Sequence, residues 1–282
     1  MPRERIRDTS PELQQQKVIS IQRTVSTLVV AVPSLNEEPG IGPTLTEIAE
    51  TLEDPTVVVI DGGSVDRTVE IARELGADVI AQLGNGKGAA VSQLVDHLND
   101  GLRYVALIDA DYSYPATCIP EMLSILERDL TVGMVAARRT YGNILGKRPL
   151  LDLYFAGNRL LTTAHRLLNG VDMRDPLTGL RVVRSDLLRG WKPRSKGFDI
   201  EVELNWHVKQ SGYGIVEIPI QYRQRLGEKK LKARHGLSIM RRILVLAFER
   251  VRTTYFRGHM DSPMSQVDMD NEIANPETTG KL

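Results

Sequence analysis

The 282-residue chain reads as an α/β protein with a mainly parallel central sheet flanked by helices. Three observations predict this. Short apolar runs recur through the first half, helical segments separate them, and each run ends in polar, glycine-rich or acidic residues. In open sheets of this kind ligands gather beyond the carboxyl ends of the strands, so the chemistry is sought in the loops that follow the runs.

"TLVVAV" (27–32) is a strand, followed by the loop "PSLNEEPG" and a helical stretch over 43–53. "TVVVID" (56–61) is a second strand, with the loop "GGSVDRT" and a helix over 67–75. "ADVIAQ" (77–82) is a third, with the glycine-rich "LGNGKG" and a helix over 87–99. "YVALIDA" (104–110) is a fourth, then a helix over 117–128, and "VGMVAAR" (132–138) is a fifth strand. Beyond it the pattern is less regular. Residues 150–169 read as a helix, 175–185 as a loop and a strand, 198–212 as a helix closed by Gly212, and 214–225 as a strand. From Gly236 to Arg257 apolar residues recur near 3.6-residue spacing, which predicts an amphipathic helix. Residues 1–24 are polar and form an arm, and 258–282 are polar and acidic, the composition of a disordered tail.

Composition narrows the class. Hydrophobic residues are 41% of the chain and charged residues 26%, as in ordinary globular proteins. Lysine plus arginine equals aspartate plus glutamate at 36 each, so net charge points to no partner. A lone Cys118 has no internal disulfide partner, which suits a reducing compartment. The N-terminal "MPRERIRDTSPELQQQK" is too polar for a signal peptide, and no run approaches the ~20 apolar residues of a membrane span. The five histidines show no metal-ligand spacing.

The most informative stretch is "RYVALIDADYSYP" (103–115), where an apolar strand ends in Asp109 and Asp111. Side chains two apart on an extended segment point the same way. The pair can therefore converge on Mg²⁺ or Mn²⁺, hard cations that take one or two carboxylates plus substrate phosphates. The other loops add Asn36, Glu37 and Glu38 after the first strand, Asp61, Ser64, Asp66 and Thr68 after the second, and Lys87 among three glycines after the third. Lys87 offers a charge to phosphate, while Ser64 or Asp66 also suits the cap of the next helix. Neither a dinucleotide fingerprint nor a P-loop is present.

The succession VPSLNEE, IDGGSVDRT, GNGKG and DAD resembles the inverting family 2 glycosyltransferases of the GT-A fold. The later DPLTGLRVVRSDLL, GFDIEVEL and EIPIQYRQRLGEKKL resemble the dolichyl-phosphate mannosyltransferase and polyprenyl-phosphate sugar synthase branch. The resemblance spans about 27 to 245. It implies a GT-A domain over 25–235, with Pro33, Leu35, Glu37 and Asp61 lining a nucleoside pocket and Lys87 near it. It further implies Asp109 and Asp111 on the metal and donor diphosphate, and Arg138, Arg148, Arg225 and Lys230 toward an acceptor phosphate. Two departures stand out. The mannosyltransferases often continue DAD with Leu-Gln-His-Pro, whereas this chain has Tyr112-Ser113-Tyr114-Pro115, and its basic motif near 225 is one residue shorter.

The implied reaction is metal-dependent transfer from a UDP- or GDP-linked sugar to a polyprenyl (dolichyl) phosphate. A phosphate acceptor is already anionic and needs arginines rather than a strong base. Transfer to a hydroxyl of a soluble acceptor or growing glycan would instead need a carboxylate base, for which Asp199 and Glu201 are the candidates. A nucleotide-sugar-binding protein without turnover is the remaining alternative. Between Gln221 and Arg257 eleven residues are basic and two acidic. The helix over 236–257 can thus lie on a membrane with Arg241, Arg242, Arg250 and Arg252 meeting headgroups, or pack on the domain or on a second copy of the chain. Nucleic-acid binding is the weaker third reading, since only four aromatic residues, Tyr222, Phe248, Tyr255 and Phe256, lie in this stretch. The expected location is cytoplasmic, peripheral at the cytoplasmic membrane face.

Overall fold

A computed structural model describes residues 27–140, 153–228, 230 and 233–260. The expected N-terminal arm, Arg148 and the tail beyond 260 lie outside them.

Seven strands form one sheet: β1 (Leu28–Ser34), β2 (Thr56–Asp61), β3 (Asp78–Ala81), β4 (Tyr104–Leu107), β5 (Val132–Thr140), β6 (Arg181–Arg184) and β7 (Gly214–Gln221). Their spatial order is β3-β2-β1-β4-β6-β5-β7. All pairs are parallel except those of β6, which runs antiparallel to both β4 and β5. The loop entering β6 therefore arrives at the edge where the other six strands end. The eight α-helices of the described residues are α1 (Glu38–Thr51), α2 (Thr68–Glu74), α3 (Lys87–Val95), α4 (Ile119–Arg128), α5 (Leu153–Asn169), α6 (Ser185–Leu188), α7 (Ile200–Gln210) and α8 (Ala233–Met260).

Strand alternation divides the core into two layers. Val30, Val32, Val59, Ala106 and Val135 point to the side of Ile41, Leu45 and Ile48 of α1 and Ile119, Met122 and Leu126 of α4. Val29, Ala31, Val58, Ile60 and Val105 point to the side of Val91 and Leu94 of α3 and Ile200, Leu204 and Val208 of α7. A third cluster joins Leu161 of α5, Val202 of α7 and Ile239 and Ile243 of α8. That cluster fixes α8 behind the sheet and buries one of its faces.

Most predicted elements are present within a few residues, with three corrections. First, α1 begins at Glu38, so part of the expected loop 33–40 is helix. Pro39 is tolerated in the first turn, where its missing N–H has no partner to lose, and Pro43 sits inside the helix. Second, β4 ends at Leu107, two residues before Asp109. Third, α8 runs to Met260, past the expected limit of 257. The short α6 was not anticipated.

Candidate active site

The loop after β4 is held from below by α1. Thr44 donates its hydroxyl to Ala110 O (3.2 Å) and accepts from the Tyr112 N–H (3.1 Å). Tyr112 adopts a left-handed backbone (φ 62°), a sparse region for a bulky residue. That turn sends the chain back so that Ser113 reaches Asp111, whose Oδ1 accepts both the Ser113 N–H (3.0 Å) and its hydroxyl. Ser113, which stands where the mannosyltransferases often carry glutamine, is thus fully buried and committed to Asp111.

The first two loops interlock. The N–H groups that open α1 would be unsatisfied in an isolated helix. Here Asn36 N donates to Ser64 Oγ (2.8 Å), Glu37 N to Thr68 Oγ1 (2.8 Å) and Glu38 N to Asp66 Oδ2 (3.1 Å). Asp66 Oδ1 also accepts from the Thr68 N–H (3.0 Å), so it serves the start of α2 as well. Asp61 closes its own loop by accepting from the N–H groups of Gly63 and Ser64, both at 3.0 Å.

At the start of α3, Lys87 Nζ lies 2.6 Å from Asp109 Oδ1 and 2.6 Å from Glu201 Oε1. The other Glu201 oxygen pairs with Arg181, which is among the most buried large side chains. From the opposite side the segment after β7 crosses the site. Its N–H groups at Tyr222, Arg223 and Leu226 donate to Thr140 O, Ser113 O and Asp111 O. Arg223 grips Glu47 through two hydrogen bonds (2.8 and 2.6 Å) and lies over the Tyr112 ring. Arg225 Nη2 reaches Glu37 Oε1 (3.0 Å) and Asp111 Oδ2 (3.3 Å), and Lys230 donates to Asn36 O (3.0 Å). Glu37 Oε2 and Arg225 Nε are buried without hydrogen-bond partners among the described residues, an acceptor and a donor left for something else to satisfy.

The electrostatics follow from this crowding. Burial, seconded by the charge of Asp109, pushes the Asp111 carboxyl above its usual range. Asp109 goes the other way: burial opposes its ionisation, but Lys87 outweighs it and holds the carboxyl low. Burial raises Glu37 to about 7 against the pull of Arg225. Lys87 stays firmly protonated, because Asp109 and Glu201 together outweigh its burial. Two carboxylates that disfavour each other's charge, one residue apart at a sheet edge, suit a hard divalent cation that also takes phosphate oxygens. Asp109 and Asp111 would supply the protein's share of its ligands. Among the described residues no group of three or more metal-ligating side chains occurs, so the remaining ligands would come from substrate and water.

Placed in the structure, Pro33, Leu35, Glu37 and Asp61 lie at the ends of β1 and β2, and Lys87, Asp109, Asp111, Arg225 and Lys230 join them at the same edge. Arg138 and Arg139 take opposite faces of β5. Arg139 is the one whose charge acts on Asp109, and Asp175 holds its guanidinium through bonds of 2.7 and 2.6 Å. Asp199 precedes α7, where it accepts from the Gly197 N–H (3.1 Å) and faces Arg242 (3.6 Å). Sequence reasoning missed Arg139, Arg181, Asp175 and Glu47. The one visible signal was Arg181, a charged residue opening the short strand Arg181–Arg184 directly after Leu180. Arg242 is also turned inward, toward Asp199 and Glu203, and Arg250 donates to Leu168 O (3.1 Å), which corrects the expectation that both face headgroups.

The family model for glycosyl transferase family 2 matches residues 29–190. A dolichyl-phosphate hexose transferase of Haloferax volcanii is 34% identical over 74% of this chain and 88% of its own length. The glycosyltransferase AglJ of the same organism is 31% identical over 71% of this chain, which spans only 64% of that longer relative. Among solved structures, a glucosyl-3-phosphoglycerate synthase from Mycobacterium tuberculosis, in complex with Mn²⁺, UDP and glucosyl-3-phosphoglycerate, superposes with a TM-score of 0.61 at 22% identity over 79% of each chain. That likeness identifies the sheet as a GT-A fold.

Proposed function

Because the chain belongs to glycosyl transferase family 2 and is a sugar transferase, we propose that it moves a sugar from a nucleotide sugar to a polyprenyl phosphate, with inversion and with a divalent cation held by Asp109 and Asp111. The observation that carries the reading is one juxtaposition. The crowded Asp109–Asp111 pair meets the cationic segment of Arg225 and Lys230 at one sheet edge, which supports a diphosphate with its cation bound beside an acceptor phosphate. The dolichyl phosphate in the name of the Haloferax relative supports the acceptor class, and the Mn²⁺ in the mycobacterial complex supports a divalent metal.

In the proposed reaction an acceptor phosphate oxygen attacks the anomeric carbon. The bond from that carbon to the donor diphosphate breaks, and the nucleoside diphosphate leaves with the electron pair. A bound Mg²⁺ or Mn²⁺ would neutralise the charge gathering on that leaving group. Arg225 and Lys230 would orient the acceptor and offset its charge, converting the encounter into a positioned displacement. Glu37 and Asp61 would frame the nucleoside, and the unpartnered Glu37 Oε2 would accept a donor from it. The hydroxyl-acceptor alternative is disfavoured by the state of its bases: Glu201 is taken by Lys87 and Arg181, and Asp199 by Gly197 and Arg242.

The acceptor's lipid tail gives a role to α8. None of the described helices is long and apolar enough to cross a membrane. Yet α8 exposes Leu237, Leu244, Phe248 and Val251 opposite the face that packs on α5 and α7. We assign this second face to reversible contact with the cytoplasmic leaflet, with Arg241 and Arg252 beside it. The test is to supply a short prenyl phosphate with each of a set of UDP- and GDP-sugars. Consumption of one donor dependent on the prenyl phosphate is expected. Turnover only with a hydroxyl acceptor would overturn the reading.

A further inference from the structure

Four charges of alternating sign run from the core to the site: Arg181, Glu201, Lys87 and Asp109. Arg181, on β6 and only 1% exposed, is fixed by the Glu201 carboxylate and carbonyl and by Pro176 O (2.8 Å). Pro176 O is itself held by Asn205 of α7 (2.9 Å). Glu201 therefore cannot drift, and its second oxygen meets Lys87 at the same 2.6 Å that separates Lys87 from Asp109. One ammonium is divided between two carboxylates.

That division has a consequence for any cation at Asp109. An undivided Lys87 would neutralise Asp109 and compete with a metal for it. With Glu201 drawing on the same ammonium, Asp109 keeps net negative charge while its Oδ1 stays pinned. We propose that Glu201, backed by Arg181, is a positioning residue that sets how much of the Lys87 charge reaches Asp109 and so keeps that carboxylate available to the divalent cation. The proposal rests on the reading of Asp109 and Asp111 as the metal pair. A purely structural ion pair would matter for stability alone.

The test uses the full chain and Mn²⁺ alone, with free Mn²⁺ read by electron paramagnetic resonance and folding read by thermal melting. Glu201→Gln keeps the shape and removes the charge. It should weaken Mn²⁺ binding roughly 10- to 100-fold, the range for losing an outer partner of a metal ligand. The KM for metal should rise in turnover assays, and Glu201→Asp should recover part of the affinity. Because Glu201→Gln leaves Arg181 unpaired in the core, the double variant Arg181→Met/Glu201→Gln serves as a second probe that strands no charge and should show a smaller loss in the same direction. Folded variants that bind Mn²⁺ like the unaltered chain would overturn the proposal, as would failure of both variants to fold, which would make the cluster structural. Failure of the unaltered chain to bind Mn²⁺, both alone and with a nucleoside diphosphate present, has a different meaning: it removes the metal pair, and this proposal with it.

Discussion

Replacing Gly179 with alanine adds one methyl group, and the structure states where it goes. The new Cβ would sit 2.0 Å from Asp109 Oδ2, 2.5 Å from its Cγ and 2.9 Å from its Oδ1. Ordinary contact begins near 3.4 Å, so about 1.4 Å of separation must be found. The glycine side cannot yield easily, since its N–H donates to Tyr114 Oη (2.7 Å). The carboxylate must move instead, against its 2.6 Å tether to Lys87. Its backbone is not left-handed, so the substitution adds no φ strain. Overpacking of this kind costs about 1–3 kcal/mol, which a marginally stable domain survives with a lowered Tm. Displacing a reacting or ligating group by about 1 Å costs on the order of 10²-fold in rate. Initial rates of sugar transfer for Gly179→Ala should therefore fall by roughly that factor while the protein stays folded. Gly157→Ala in α5, where the added Cβ meets nothing within 4 Å, is the control and should keep full rate. A Gly179→Ala enzyme with unaltered rate and metal requirement would refute the placement of Asp109 at the reaction centre.

Asp109→Asn and Asp111→Asn should each abolish turnover with little change in Tm, and EDTA should reproduce the loss; full activity in chelator would remove the metal role. Phe248→Glu in α8 should release the protein from anionic liposomes in a flotation assay yet spare transfer to a soluble prenyl phosphate, whereas unchanged flotation would send the apolar face to another partner. His165 is wholly buried, and burial lowers its pKa from 6.5 to about 4. The folded state thus binds fewer protons than the unfolded chain between those values, so stability is lost as pH falls from 6.5 toward 4. The loss is about 3 kcal/mol at about 1.4 kcal/mol per pH unit. His165→Gln should flatten the difference between urea midpoints at pH 4.5 and 7. Cys118, with its thiol pushed up to about 12 by burial, should alkylate far more slowly at pH 8 than a free thiol.

Much of the sheet was legible because its central strands β1, β2 and β4 are buried on both faces and read as continuous apolar runs. The direction of β6 was not: four residues, Arg-Val-Val-Arg, look the same in either sense, and only pairing with β4 and β5 decides it. The start of α1 was hidden because its capping groups come from Ser64, Asp66 and Thr68, about thirty residues away. The Asp109–Asp111 pair was found by an argument about extended chain, although β4 stops before it. The two still act on each other's charge, and Asp111 is braced by Ser113 beyond a left-handed Tyr112 that no local pattern announces. Arg138 and Arg139 differ only in strand face, and Arg242 differs from Arg241 only in its position around a helix. Such distinctions need the packing partner, which lies far away in sequence. Glu201 was weighed as a base, a role that does not anticipate a carboxylate held between Lys87 and Arg181.

The reversed strand has a bearing on how such an enzyme can diversify. β6 stands between two groups of strands, β3-β2-β1-β4 on one side and β5-β7 on the other, and the loop that enters it touches both. Its Asp175 binds Arg139 of β5 and, through its N–H, Glu217 of β7, while Gly179 packs on the Asp109 carboxylate. On the proposed reading the loops after β2 and β3 can be retuned to change what leaves and the end of β5 to change what receives, whereas the segment after β7 is tied to the first loop through Arg225–Glu37 and Lys230–Asn36. Residues 175–180 have no such freedom, since a change there is felt by both halves at once. Descendants with new substrates should vary on either flank of this joint and keep the joint itself.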